Sequence, residues 1–233
     1  MDTTERRQGT AGMTKERPIL FNGAMVRAIL AGQKTQTRRA VKVPPAFDFI
    51  GGAGDDQHDP RNWGAEDENA LWWALAAGPD TDRVLACPFG KPGDRLWVRE
   101  TWAQPTSLDP GPTVYRADYP ACVPAGFEDV PPAEEIRWRP SIHMPRGACR
   151  LVLEITDVRV ERLQEISEAD AIAEGADVHV LPDIRLPRTH PRAGRPMVYA
   201  DCREIFADLW DSTGGDWNSN PWVWAITFKR IEA

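Results

Sequence analysis

The chain has 233 residues, 42% of them hydrophobic, enough for one sizeable core, and its net charge of −7 argues against a protein that coats nucleic acid without selectivity. It has no run of about 18 apolar residues, so no membrane-spanning helix is expected. The opening MDTTERRQGTAGMTKERP lacks the apolar stretch of a secretory signal and reads as a disordered leader over 1–17, which makes a cytoplasmic protein the expectation.

Pro18 to Phe21 reads as a short opening strand. Asn22 offers an N-cap, and Met25, Val26, Ile29 and Leu30 recur at helical spacing before Gly32, which predicts a helix over 23–31. QKTQTRR follows, where a helix ends and a strand can begin. Residues 44–90 are rich in Pro, Gly and Asp and read as an insertion with at most a short helix around Glu66–Ala77. Pro92-Gly93-Asp94 marks a turn, and Arg95 to Thr101 alternates as a strand does, with Leu96 and Val98 opposite Trp97 and Arg99.

Residues 103–148 form a second expected insertion, Pro-rich at first, with a short strand near Val114–Arg116. From Cys149 to Val160 the pattern alternates again, Leu151, Leu153 and Ile155 sharing a face. Ser167 with Asp170 opens a short helix that Gly175 closes. After a Pro/Arg-rich loop over 180–198, Asp201 with Glu204 opens another helix, with Ile205, Phe206, Leu209 and Trp210 toward the core. Trp222, Trp224, Ile226 and Phe228 alternate along a last, central strand. Strands separated by short helices, without a βαβ rhythm, predict an α+β fold: a small mixed β-barrel with flanking short helices and long loop insertions, one domain over 18–233. Neither a phosphate loop nor a dinucleotide fingerprint is present, so ATP and NAD have no support and no cofactor is expected.

Cysteines at 87, 122, 149 and 202 form no CxxC and read as buried small hydrophobes, so no metal site is expected. Arg38, Arg39, Arg95, Arg99, Arg137, Arg139, Arg146 and Arg150 lie in segments that read as ordered, where they either cover strand faces or form a local basic cleft suited to a nucleotide or short strand. Among ten tryptophans, Trp97, Trp102, Trp138, Trp210, Trp222 and Trp224 fill a core or stack bases.

The densest cluster of reactive groups is Gly32-Gln33-Lys34-Thr35-Gln36-Thr37-Arg38-Arg39. Lys34 and Thr37, three apart, meet across a bend or a helical turn but not along a flat strand. A desolvated lysine beside arginines has a lowered pKa and can act as a base, and Thr37 can then serve as nucleophile or hold a substrate carbonyl. A solvated surface turn is the alternative reading of the same residues. Glu174, at the negative end of the Ser167 helix, is expected to have a raised pKa that suits a general acid. An exposed helix-end glutamate is the commoner case.

ILAGQKTQTRR resembles the G-x-K-x-x-T-x-R signature of the ASCH domain family, with Gly32, Lys34, Thr37 and Arg39 in register. KPGDRLWV is similar to that family's following strand, VWAITFKR to its last strand, and ISEADAIAEG to the helix bearing its glutamate. From about Arg17 onward the arrangement resembles phage- and prophage-type members. The resemblance implies a PUA-like fold with a cleft for RNA or a modified nucleobase. Small bacterial members are N4-acetylcytidine amidohydrolases with a lysine, a threonine and a glutamate in the active site, which fall here on Lys34, Thr37 and Glu174. Those enzymes are about half this length, and residues 44–90 and 103–148 have no counterpart in them.

Three readings follow. The first is a metal-independent amidohydrolase of N4-acylated cytosine nucleosides, with Lys34, Thr37 and Glu174 catalytic and Arg38, Arg39, Trp97, Arg99 and Trp138 contacting substrate. The second is a reader or nuclease of RNA or modified DNA, with Trp97 or Trp138 stacking a base and arginines on phosphate. The third is a phage accessory protein that keeps the fold without the chemistry. The expected partner is a modified nucleoside or a short nucleic acid, with no membrane and the oligomeric state open.

Overall fold

The computed structural model describes residues 14–51, 55–78, 81–108, 111–127, 129–176 and 201–232. The expected leader up to residue 13 and the expected loop over 180–198 lie outside the described residues. In chain order the elements are β1 (Glu16–Leu20), α1 (Gly23–Leu30), β2 (Gln36–Ala40), β3 (Asp48–Phe49), β4 (Trp63–Glu66), β5 (Trp72–Ala74) and β6 (Arg83–Val84). Then come β7 (Arg95–Arg99), β8 (Trp102–Ala103), β9 (Val114–Tyr115), β10 (Val152–Arg162), α2 (Glu168–Ala173), α3 (Cys202–Ser212) and β11 (Trp222–Ile231). Mixed α and β structure, mostly sheet, is the result.

The main sheet has five strands in the order β1-β7-β10-β11-β2. β1 runs parallel to β7, and the other neighbours are antiparallel. The alternation of β7 sends Leu96 and Val98 into the core with Ile19, Leu151, Leu153 and Ile155. β11 lies between β10 and β2 and is buried on both faces, Trp222 through Ile226 all being at most 5% exposed. Val26 and Ile29 of α1 and Ile205, Phe206 and Leu209 of α3 close the same core. A register shift at Ile155/Asp157 lets β10 bend between its partners.

The sheet is open, and the expected closed barrel is not formed. β1 and β2 remain its edges, joined by the Arg39 side chain, whose Nη2 donates to the Leu20 carbonyl at 2.7 Å. A side chain rather than a backbone ladder spans that gap, and the gap is where the main cleft opens.

Two further expectations need correction. Glu16 and Arg17 belong to β1, not to a leader, because Asp94 accepts hydrogen bonds from Lys15 N and Arg17 Nη1, each at 3.0 Å. The stretch around Glu66–Ala77 is no helix. It is β4, a turn and β5 in a four-stranded sheet, with Asp67 Oδ1 accepting from the backbone N–H of Asn69 and Leu71 to fold the turn. That sheet docks on the main one through Trp63, edge-on to Trp222 at 6.0 Å, with the Arg162 guanidinium over both rings. The 103–148 segment has its own small core of Ala103, Leu108, Val114 and Ile136.

Candidate functional site

Two helix ends build the site. Asn22 caps α1, its Oδ1 accepting from Met25 N at 2.9 Å, and Gly32 leaves the helix with φ +74°, a conformation that costs glycine little. Ser167 caps α2 in the same way, and Gly175, at φ +83°, ends it. The backbone N–H of Thr35 donates to the Ala173 carbonyl at 2.8 Å, so the two helix exits lie side by side and bring Lys34 against Glu174.

Lys34 is 3% exposed, and its three N–H bonds are all used. Nζ donates to Glu174 Oε2 at 2.7 Å, to the Glu174 carbonyl at 2.8 Å and to the Gln36 carbonyl at 2.8 Å. Burial pulls the ammonium below its usual range; Glu174 opposes that shift, and Arg39 and Arg38 add to it. The other carboxylate oxygen of Glu174 accepts from Arg38 Nη1 at 3.2 Å. Arg38 also donates to Gln36 Oε1 at 2.6 Å and to Glu161, and lies 3.3 Å from Asp170. Arg159 completes the circuit, donating to Glu161 at 2.8 Å and to Asp170 at 2.9 Å. Three cations and three carboxylates are therefore matched beneath the cleft.

The cleft above them has a volume of about 540 Å³, within the range of small-molecule pockets. Lys34, Thr37, Arg38, Arg39 and Glu174 all line it, beside Phe21 at the end of β1 and Phe206 and Trp210 of α3. Strand alternation sorts the β2 side chains. Gln36 and Arg38 share the face that enters the ion network, and Thr37 and Arg39 share the other. Thr37 is 4% exposed, and its hydroxyl makes no hydrogen bond to another described residue. Arg39 has no carboxylate partner among the described residues; it stacks over Phe21 at 5.3 Å, and its buried Nε is unpartnered. Burial lowers its pKa, opposed by Glu174.

Trp97, Arg99 and Trp138 do not line this cleft. Trp97 sits on β7 with the Arg99 guanidinium 5.4 Å from its ring, and Arg99 donates to the Ile142 carbonyl. Trp138 belongs to a second cavity, where its Nε1 donates to the Ala133 carbonyl at 3.0 Å. Reasoning from sequence misses Arg159 and Glu161, gives Gln36 no role beyond membership of the 32–39 run, and reads Asp170 only as a capping residue. Their one signal is the i, i+2 spacing of Gln36/Arg38 and Arg159/Glu161, which any solvated strand face also shows.

Among the described residues, no group of His, Cys, Asp and Glu could hold a metal ion, and no helix is long and apolar enough to cross a membrane. Comparison with family models, curated proteins and solved structures returns no match.

Proposed function

We propose that the chain is an ASCH-like protein of the PUA-like class and that the Lys34 cleft hydrolyses the amide of an N4-acylated cytosine nucleoside. The observation that carries this reading is the Lys34–Glu174 pair at 2.7 Å under a nucleoside-sized cleft, with the uncommitted Thr37 hydroxyl on its wall. One proton passed along that hydrogen bond turns the ion pair into a neutral amine and a neutral acid. The pair then carries both functions the reaction requires.

Lys34, now neutral, removes a proton from Thr37 or from a water held by it, and that oxygen attacks the acyl carbon. Glu174 gives its proton to the departing exocyclic nitrogen as the C–N bond breaks. Attack by water yields cytidine and the free carboxylic acid directly; attack by Thr37 yields an acyl-threonine that a water cleaves in a second step. Arg39, on the same cleft wall, holds the oxygen on which charge develops in this scheme.

The active pair shares one proton. Once the pH rises past the lowered Lys34 value, that proton is lost and Glu174 has none to give. Turnover is therefore expected to fall on the alkaline side with a midpoint below 10.5, lysine's ordinary value. The test is N4-acetylcytidine hydrolysis followed by chromatography across pH. A rate independent of pH up to 10.5 would exclude the shared-proton scheme.

A further inference from the structure

We propose that the second insertion builds an anion subsite, walled by Arg137, Trp138 and Arg139, for the phosphodiester of a short single-stranded nucleic acid whose reacting nucleotide occupies the Lys34 cleft. This rests on the reading of that cleft as a nucleobase site.

A cavity of about 850 Å³ lies in the insertion, and Pro140 is part of its wall. The next residue, Ser141, is part of the wall of the Lys34 cleft, so the two hollows adjoin along one stretch of chain. Arg137 and Arg139 are exposed, and neither has an ion-pair partner among the described residues. The Arg139 guanidinium is held 4.9 Å over the Trp102 ring. Among the described residues of that wall Glu135 is the one carboxylate against Arg137 and Arg139, so cations outnumber anions among them on a chain whose net charge is −7. Such a local excess steers and holds an anion.

Trp138 is half-buried and fixed from two sides, by its bond to Ala133 and by Tyr119 edge-on at 5.5 Å. A fixed ring beside unpaired arginines is the combination that holds a strand by stacking and phosphate contact. A free nucleoside has no phosphate and leaves this subsite empty. The insertion would thus direct the cleft toward a nucleotide within a chain.

The experiment is fluorescence anisotropy of a labelled single-stranded cytidine hexanucleotide at two salt concentrations. Wild type should bind, and more weakly at higher salt. Arg137→Gln with Arg139→Gln should weaken binding about tenfold and lower the salt slope by about 1–2, the loss of two phosphate contacts. Arg137→Lys with Arg139→Lys should retain most of the affinity. Lys91→Ala with Arg230→Ala, an equal loss of charge outside both cavities, should change it less than about twofold. Absence of wild-type binding, or equal weakening by the control pair, overturns the subsite. Failure of the hydrolysis reading looks different: free N4-acetylcytidine is not turned over, yet the hexanucleotide still binds through these arginines.

Discussion

Among the described residues, two clusters of buried charge invite comparison, one beside a cleft and one away from it. In the first, Lys34 and Arg38 meet Glu174 and Glu161 beneath the main cleft. In the second, Arg150 grips Glu100 and Asp118 with four hydrogen bonds of 2.7–2.9 Å, over the Tyr115 ring at 3.9 Å. Glu100 is 1% exposed, and burial raises its pKa against the pull of Arg150. Each sets a buried carboxylate, Glu174 or Glu100, against an arginine. None of Arg150, Glu100 and Asp118 lines either cavity, however, and each nitrogen of the Arg150 guanidinium donates to a carboxylate. A closed cluster ties the insertion to the end of β7. Beside the other, among the described residues, stand an uncommitted Thr37 hydroxyl and an Arg39 guanidinium with no carboxylate partner, and those groups distinguish a candidate site from a structural rivet.

The largest effects should come from breaking either cluster. Glu174→Ala strands the buried Lys34 cation and Arg150→Ala strands Glu100, so each should destabilise the fold by about 3–5 kcal/mol in urea denaturation. Arg150 is 21% exposed on its side chain, which puts it at the lower end. The two diverge with Glu174→Gln and Glu100→Gln. Both keep the shape, but only the first should abolish hydrolysis. Equal loss of activity in both would erase the distinction between the clusters.

A smaller effect is expected at Asp94, a carboxylate engaged in structure alone. It accepts from Lys15 N, Lys91 N and Arg17, bonds that hold its pKa below the ordinary 3.8, the Lys15 amide foremost. A lowered carboxylate stabilises the fold above its unfolded value, and that contribution disappears as the pH falls through the folded one. Asp94→Asn should therefore cost about 1–2 kcal/mol at neutral pH, with the gap from wild type closing below about pH 4. A gap that widens in acid would show that Asp94 acts otherwise.

Much of this was legible in the sequence because it is local. Asn22, Gly32, Ser167 and Gly175 announce their helix ends, and Leu96/Val98 and Trp222 to Phe228 announce strands by period. Closure of the sheet was not legible, since it depends on whether β1 and β2 come within backbone reach, and the bond between them runs from the Arg39 side chain to the Leu20 carbonyl. The Trp72-Trp73 strand was hidden by a short run between Asp-rich turns. At the site, Lys34 and Thr37 stand in a dense run of polar residues and Glu174 at a legible helix end, whereas Glu161 and Arg159 are ordinary strand residues until a long-range fold sets them against Arg38. The chemical type of Trp97 and Trp138 says nothing of where either ring faces.

Thr37 offers the most direct test of the cleft, because no hydrogen bond to another described residue is lost when its hydroxyl goes. Wild type and Thr37→Ala would be compared for cytidine release from N4-acetylcytidine and for thermal unfolding. Release by wild type, a fall of about 100-fold or more in the variant, and stability within about 1 kcal/mol would match a catalytic hydroxyl on an intact scaffold. No release by wild type, or a variant as active as its parent, would contradict it.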